Sequence, residues 1–145
     1  MYKTLFIDFD DTLYDTRGNA EISLKETFEF FQWGNYFREY DTFSKIYWKT
    51  NIELWDAYAK GEIKRDYLMV ERFRIPLSTG VDAAGQSFNP SADYCLKVSD
   101  VFLNFCANKP GLVTDARELM DYLRGKGYSL YMCSNGFYIN SCHIR

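Results

Sequence analysis

The sequence predicts an α/β fold in which a partial Rossmann-like core, built on a parallel sheet, is interrupted by a long helical insert. An apolar strand at residues 5–7 lies near the N-terminus, and a second apolar strand at residues 128–133 lies far downstream. Apolar residues between the two strands recur at helical spacing. A strand, a large helical insert, a helix and a second parallel strand are typical of such a core with an inserted cap.

The insert is predicted to form a four-helix cap over residues 15–107, which leaves residues 1–14 and 108–145 for the core. Its helices are indicated by apolar residues along one face or by start signals such as Asn89-Pro90. The expected segments are residues 22–31, a helix beginning near residues 41–42, residues 63–73, a loop at 76–89 and a helix beginning near residue 90.

One further helix is predicted between the insert and the second strand. Asp115 and Glu118 have the spacing of a capping box, and an apolar stripe follows them. Gly125 and Gly127 are expected to end this helix.

The composition is that of a soluble globular protein and excludes several classes of partner. The 145 residues are 47% hydrophobic and 26% charged, and 17 basic against 20 acidic residues give a net charge of −3. Such a chain has no general attraction to nucleic acid polymers or to anionic membranes. No apolar run approaches the roughly 20 residues of a membrane span, and no signal-peptide core follows Met1. We therefore expect a cytoplasmic protein.

The cysteines and the single histidine do not suggest a reactive or metal-binding cluster. The four cysteines lie far apart without a C-x-x-C pair, which favours neither a zinc site nor a disulfide framework. We expect Cys95, Cys106 and Cys133 to be buried free thiols, because they occupy apolar helix or strand positions. His143 lies in a polar segment near the C-terminus and is not expected to be catalytic.

Two aspartates at the end of the first strand form the most informative motif of the sequence. If the strand continues, Asp8 and Asp10 share one face; if it breaks near Phe9, they fan around the strand end, where open α/β sheets bind ligands. Asp11 and Thr12 are predicted to begin a turn, and acidic residues after a strand also occur as plain turn chemistry. Two close carboxylates repel each other, and a hard cation such as Mg²⁺ relieves that repulsion.

Residues 6–13 resemble the first signature of the haloacid dehalogenase-like (HAD) superfamily, h-h-D-x-D-x-T-[LV]. Residues 128–136 resemble its second signature, a strand that ends in a small hydroxyl residue, here Ser134. The two segments stand in the family's order with a cap-sized insert between them. The resemblance implies a HAD-like core, phosphate chemistry and Mg²⁺ as the cofactor.

The resemblance also assigns roles to individual residues. Asp8 would be the nucleophile that forms an aspartyl-phosphate, and Asp10 would be the general acid/base. Mg²⁺ would be bound by the Asp8 carboxylate and the Asp10 backbone carbonyl. Ser134, Asn135 and Thr12 would bind the substrate phosphate. An acid at position 10 favours phosphatase or phosphomutase chemistry, because the halide leaving group of a true dehalogenase needs no proton.

Residues 54–63, followed by Leu68 and Arg72-Phe73, resemble the cap pattern of the house-cleaning pyrimidine nucleotidases, L-W-x-x-Y-x-x-G-x-[IL]…L…R-F. This likeness implies a nucleoside 5′-monophosphate, a small phosphorylated metabolite, as the substrate. The same residue types at helical spacing also serve as core. Two alternatives stay open: a phosphomutase similar to β-phosphoglucomutase, and a non-catalytic remnant whose helical cap binds a partner.

The HAD-like pattern normally continues beyond the second signature with a lysine and an acidic motif, and residues 136–145 contain neither. We therefore expect a truncated or frame-disrupted product, or a fragment, with impaired hydrolytic activity. The first strand of such a chain would have an open edge, which predicts self-association or poor solubility.

Overall fold

Five α-helices and two β-strands form the computed structural model, which describes residues 3–134. In chain order they are β1 (Thr4–Asp8), α1 (Thr16–Phe30), a 3₁₀ turn (Trp33–Asn35), α2 (Tyr40–Ala59), α3 (Arg65–Leu77), α4 (Ala92–Ala107), α5 (Ala116–Gly125) and β2 (Ser129–Cys133). The predicted α/β class, with helices inserted between two parallel strands, is confirmed. Within the described residues, no helix is both long and apolar enough to cross a membrane.

The chain folds as two compact units. Among the described residues, the first unit combines residues 3–22 with residues 107–134, and the second unit is Ser23–Cys106. Helix α1 contributes its first turns to the first unit and its remainder to the second. The sequence pattern did not indicate a helix shared in this way.

The sheet of the first unit pairs β1 with β2 in parallel. The register runs from Thr4 opposite Ser129 to Asp8 opposite Cys133. Leu5 and Ile7 are half-buried, whereas Phe6 is 72% exposed and stacks on the exposed ring of Tyr131 at 5.5 Å between ring centroids.

A buried asparagine ties the two chain segments of the first unit together. The Asn19 side-chain amide donates to the Gly111 carbonyl at 2.8 Å, and its carbonyl oxygen accepts from the Gly111 N–H at 3.1 Å. A Cβ atom at position 111 would lie 2.4 Å from that side-chain oxygen, so the contact requires glycine. The pair satisfies a polar side chain that is only 3% exposed.

The second unit has an aromatic core. Four of its largest fully buried side chains are rings that pack against one another, and they come from the 3₁₀ turn, α2 and α3: Trp33, Phe43, Tyr47 and Phe73. A charged group lies among these rings, because Arg72 is 5% exposed and its guanidinium carbon lies 4.9 Å from the ring centroid of Phe102.

Two predicted helix boundaries differ from the structure. α1 begins at Thr16 rather than near residue 22, since the Asp15 carboxylate accepts the N–H of Gly18 and caps an earlier first turn. α3 continues to Leu77 and so includes Pro76, which the sequence placed in a loop. The proline lies in the last turn, where its missing N–H costs a single helical bond.

Two local predictions were wrong. Asp115 adopts a left-handed backbone with φ of 62° and its side chain makes no capping bond, so the predicted capping box with Glu118 does not form. Of the three cysteines, Cys95 is buried and Cys106 is half-buried, but Cys133 is exposed. Its thiol lies in β2, most of whose residues are exposed in the described structure.

Candidate active site

The candidate site is built on the turn that follows β1. Regular pairing with β2 ends at Asp8, and Asp10 makes an isolated bridge to Tyr14. The N–H groups of Leu13 and Tyr14 both donate to the Phe9 carbonyl at 3.0 Å and close the turn. The chain therefore leaves the strand near Phe9, which is the second of the two predicted geometries, and the predicted turn at Asp11 and Thr12 is confirmed.

Asp11 links this turn to the start of α1. Its φ of 55° is uncommon for a residue other than glycine, and aspartate tolerates it because its short side chain bonds nearby backbone groups. The Asp11 N–H donates to the Tyr14 carbonyl at 2.9 Å, and its carboxylate accepts the N–H of Arg17 at 3.0 Å. One residue therefore holds the turn and the first turn of the helix together.

A second carboxylate fixes the start of α1. Asp15 accepts the N–H of Gly18 on its side chain at 2.8 Å, and its carbonyl accepts the N–H of Asn19 at 3.0 Å. A Cβ atom at position 18 would lie 2.2 Å from the Asp15 carboxylate, so this cap needs glycine there. These bonds tie Asp15, the residue before Thr16, to the first turn of α1.

Three hydroxyl groups hold the two signature aspartates. Thr12 donates to Asp8 at 2.7 Å. Thr16 donates to Oδ1 of Asp10 at 3.0 Å, and Ser134, which follows β2, donates to Oδ2 of the same carboxylate at 2.6 Å. In the described part of the chain neither aspartate takes part in a salt bridge. Neutral donors therefore orient both carboxylates.

The fold of this chain is similar to that of a protein whose structure has been solved. The crystal structure of a protein named as a HAD-hydrolase, YfnB from Bacillus subtilis bound to magnesium, matches 94% of the chain with a TM-score of 0.76 and 24% sequence identity. The chain has a HAD-like fold. It spans 54% of the length of YfnB. Neither protein-family models nor curated proteins gave a match to the sequence.

The HAD-like fold brings together most of the residues that the sequence singled out. Asp8 and Thr12 are in direct contact, as are Asp10 and Ser134, although 124 residues separate the latter pair in the sequence. Asn135 lies outside the described residues.

Two contacts at this site were not predicted from the sequence. One is the hydrogen bond from Thr16 to Asp10, and the other is the bond from the Arg17 N–H to the Asp11 carboxylate. The sequence placed the helix start near residue 22, so position 16 had no assigned contact. The available signal was the pair Asp15-Thr16, since an aspartate followed by helix-compatible residues is an N-cap pattern.

The donor chemistry of the site fits Mg²⁺ in part. Mg²⁺ prefers oxygen ligands and usually keeps several waters, so that one or two carboxylates and a substrate phosphate suffice to bind it. The exposed carboxylate of Asp8 and the oxygens of Asp10 are donors of this chemical type. The described residues contain no cluster of three or more His, Cys, Asp or Glu side chains that could hold a metal ion. A hydrated Mg²⁺ is the kind of cation that one or two carboxylates can hold.

Proposed function

We propose that the protein is a Mg²⁺-dependent phosphomonoester hydrolase that acts through an aspartyl-phosphate on Asp8. The observation that carries the proposal is the pair of aspartates where β1 passes into the turn: Asp8 is exposed, and Asp10 has both carboxylate oxygens held by hydroxyls. The HAD-like fold supports it, and YfnB was crystallised with magnesium.

In the proposed reaction, an oxygen of Asp8 attacks the phosphorus of the ester, and the bond from phosphorus to the leaving oxygen breaks. Before substrate binds, the Thr12 hydroxyl donates to the Asp8 carboxylate and orients it. Bound Mg²⁺, held by the Asp8 carboxylate and the Asp10 carbonyl, would neutralise charge on the phosphoryl group.

Asp10 moves the proton in both halves of the reaction. It gives a proton to the leaving oxygen, so that the product departs as an alcohol. It then takes a proton from water, whose oxygen attacks the aspartyl-phosphate and breaks its bond to Asp8. Inorganic phosphate leaves and both carboxylates return to their starting state.

The phosphate would be bound by Ser134, Asn135 and Thr12. The hydroxyls of Ser134 and Thr12 donate to the two aspartates in the structure, so each would exchange its carboxylate partner for a phosphoryl oxygen when substrate binds. Such fixed donors stabilise charge where it develops in the transition state.

For the substrate we propose a nucleoside 5′-monophosphate in a cytoplasmic setting. The support is the cap pattern of residues 54–63. Its Trp55 and Tyr58 are half-buried and meet edge to face, with 5.8 Å between ring centroids. Half-buried rings keep surface with which a planar base could be contacted.

The test is phosphate release from p-nitrophenyl phosphate and from a panel of nucleoside 5′-monophosphates, with Mg²⁺ or with a chelator. We expect slow, Mg²⁺-dependent release that is lost in Asp8→Asn and Asp10→Asn. Asp121→Asn, a change at an exposed position of α5, serves as the matched control and should leave the rate unchanged.

Mg²⁺ titration separates the alternatives. Mg²⁺ binding that is lost in Asp8→Ala, without any turnover, would favour a non-catalytic remnant of the site. Conversion of a phosphosugar to its isomer would favour a phosphomutase. The proposal would be overturned if the protein showed no Mg²⁺-dependent phosphate release and also no Mg²⁺ binding that depends on Asp8.

A further inference from the structure

We propose that Thr16 is a positioning residue that fixes the orientation of the Asp10 carboxylate for proton transfer and keeps this contact when Ser134 turns to the substrate phosphate. The inference rests on the proposed function, in which Asp10 is the general acid/base. It adds a residue outside both signature segments.

The contact is specific to one carboxylate oxygen. The Thr16 hydroxyl lies 3.0 Å from Oδ1 of Asp10 and 3.4 Å from the Tyr14 carbonyl, so the carboxylate is its better acceptor. Ser134 donates to the other oxygen, Oδ2, at 2.6 Å. A carboxylate held at both oxygens by two separate chain segments has one preferred orientation.

The backbone that carries Thr16 is itself fixed. Thr16 donates its own N–H to the Tyr14 carbonyl at 2.8 Å. The N–H groups of the next two residues, Arg17 and Gly18, donate to the Asp11 and Asp15 carboxylates. The hydroxyl is therefore presented from a helix start with little freedom to move, as positioning requires.

A hydroxyl also suits a partner that gains and loses a proton. It donates to an ionised carboxylate and can rotate to accept from a protonated one, whereas an N–H group only donates. The contact between Thr16 and Asp10 can therefore persist in both states of Asp10, with a change only in which oxygen carries the hydrogen.

The first test compares two leaving groups. An alkoxide must be protonated as it leaves, whereas p-nitrophenolate leaves readily without a proton, so loss of Asp10 orientation should affect alkyl phosphates more. Thr16→Val should lower the ratio of kcat/KM for a nucleoside 5′-monophosphate to that for p-nitrophenyl phosphate about tenfold, the effect of one hydrogen bond to a charged group. Thr16→Ser should restore the ratio. Thr42→Val, at an exposed first-turn threonine of α2, is the matched control.

The second test does not depend on turnover. In Mg²⁺-free protein, the side-chain carboxyl ¹³C resonance of Asp10, assigned by its loss in Asp10→Asn, should shift in Thr16→Val and return in Thr16→Ser. The Asp8 resonance should not move. If no phosphate is released but these shifts occur, the proposed function fails and the positioning contact stands. The inference would be overturned if Thr16→Val changed neither the Asp10 resonance nor the ratio of the two kcat/KM values. It would also be overturned if Thr16→Ser gave the same results as Thr16→Val.

Discussion

Replacing Tyr47 with phenylalanine should destabilise the second unit, because it removes the hydrogen-bond acceptor of a buried guanidinium. Nη2 of Arg72 lies 2.6 Å from the Tyr47 hydroxyl, and the two residues are 5% and 0% exposed. The Nε atom of Arg72 has no hydrogen-bond partner in the described structure. The remaining compensation comes from aromatic faces, with Phe102 and Phe73 at 4.9 and 5.5 Å from the guanidinium carbon.

The expected loss follows from the cost of leaving a buried charged donor unpaired. Hydrogen bonds to charged groups contribute about 1.5–3 kcal/mol, so Tyr47→Phe should lower the free energy of unfolding by about 2–3 kcal/mol. In a chain of this size that corresponds to a fall in Tm of roughly 4–10 °C. Arg72→Met removes the charge and keeps an apolar chain in its place, and it should change stability by only about 1 kcal/mol in either direction.

Urea unfolding of the four proteins of this double-mutant cycle measures the coupling directly. In the Arg72→Met background, Tyr47→Phe should cost far less than in the parent, because no guanidinium is left to be unpaired. Tyr122→Phe, at a residue that is 61% exposed, is the control for loss of a phenolic hydroxyl. A single Tyr47→Phe variant as stable as the parent would refute the reasoning, as would additive losses in the double variant.

Other predictions concern stability and association. Burial raises the pKa of the Cys95 thiol from 9.0 to about 11, so its contribution to stability is complete below pH 9 and is lost as the pH rises toward 11. By pH 10.5 the loss should reach about 2 kcal/mol, and urea unfolding at pH 8 and 10.5 should show a smaller difference between the two pH values in Cys95→Ala. Gly111→Ala should lower the free energy of unfolding by about 1–3 kcal/mol in urea unfolding, since the new methyl group displaces the Asn19 amide; unchanged stability would contradict that contact. Asp11→Ala should lower Tm more than Asp11→Gly, because both variants lose the carboxylate bond to α1 but only alanine also resists the positive φ. Phe6→Lys should reduce self-association in light scattering, and a parent chain that is already monomeric would contradict the expected association.

The local part of the site could be predicted from the sequence because its residues lie close together along the chain. Asp8, Asp10 and Thr12 fall within one strand end and one turn, and the strand pattern fixes where they lie. The contact of Ser134 with Asp10 depends on the parallel pairing of β1 and β2, which the two signature segments indicated. Thr16 was missed because its role depends on where α1 begins, and helix boundaries are the least certain feature of a sequence pattern.

Burial could not be predicted in the same way, because it depends on what covers each surface. Cys133 and Tyr131 lie in a strand whose apolar sequence predicts burial, yet both are exposed in the described structure. Leu119 of α5 likewise occupies an apolar stripe and is 45% exposed. Periodicity identifies the face of an element that is apolar, whereas burial of that face requires a second layer.

The cap pattern that resembles the pyrimidine nucleotidases divides into two groups once burial is known. Leu54, Leu68 and Phe73 belong to the core of the second unit, and Arg72 is buried among aromatic rings. Packing therefore accounts for these positions, and their presence says little about a substrate. Trp55 and Tyr58 are half-buried. A partly exposed ring can contact a ligand while the fold still holds it in place. Variants at these two positions should therefore change the preference among nucleoside 5′-monophosphates without unfolding the cap.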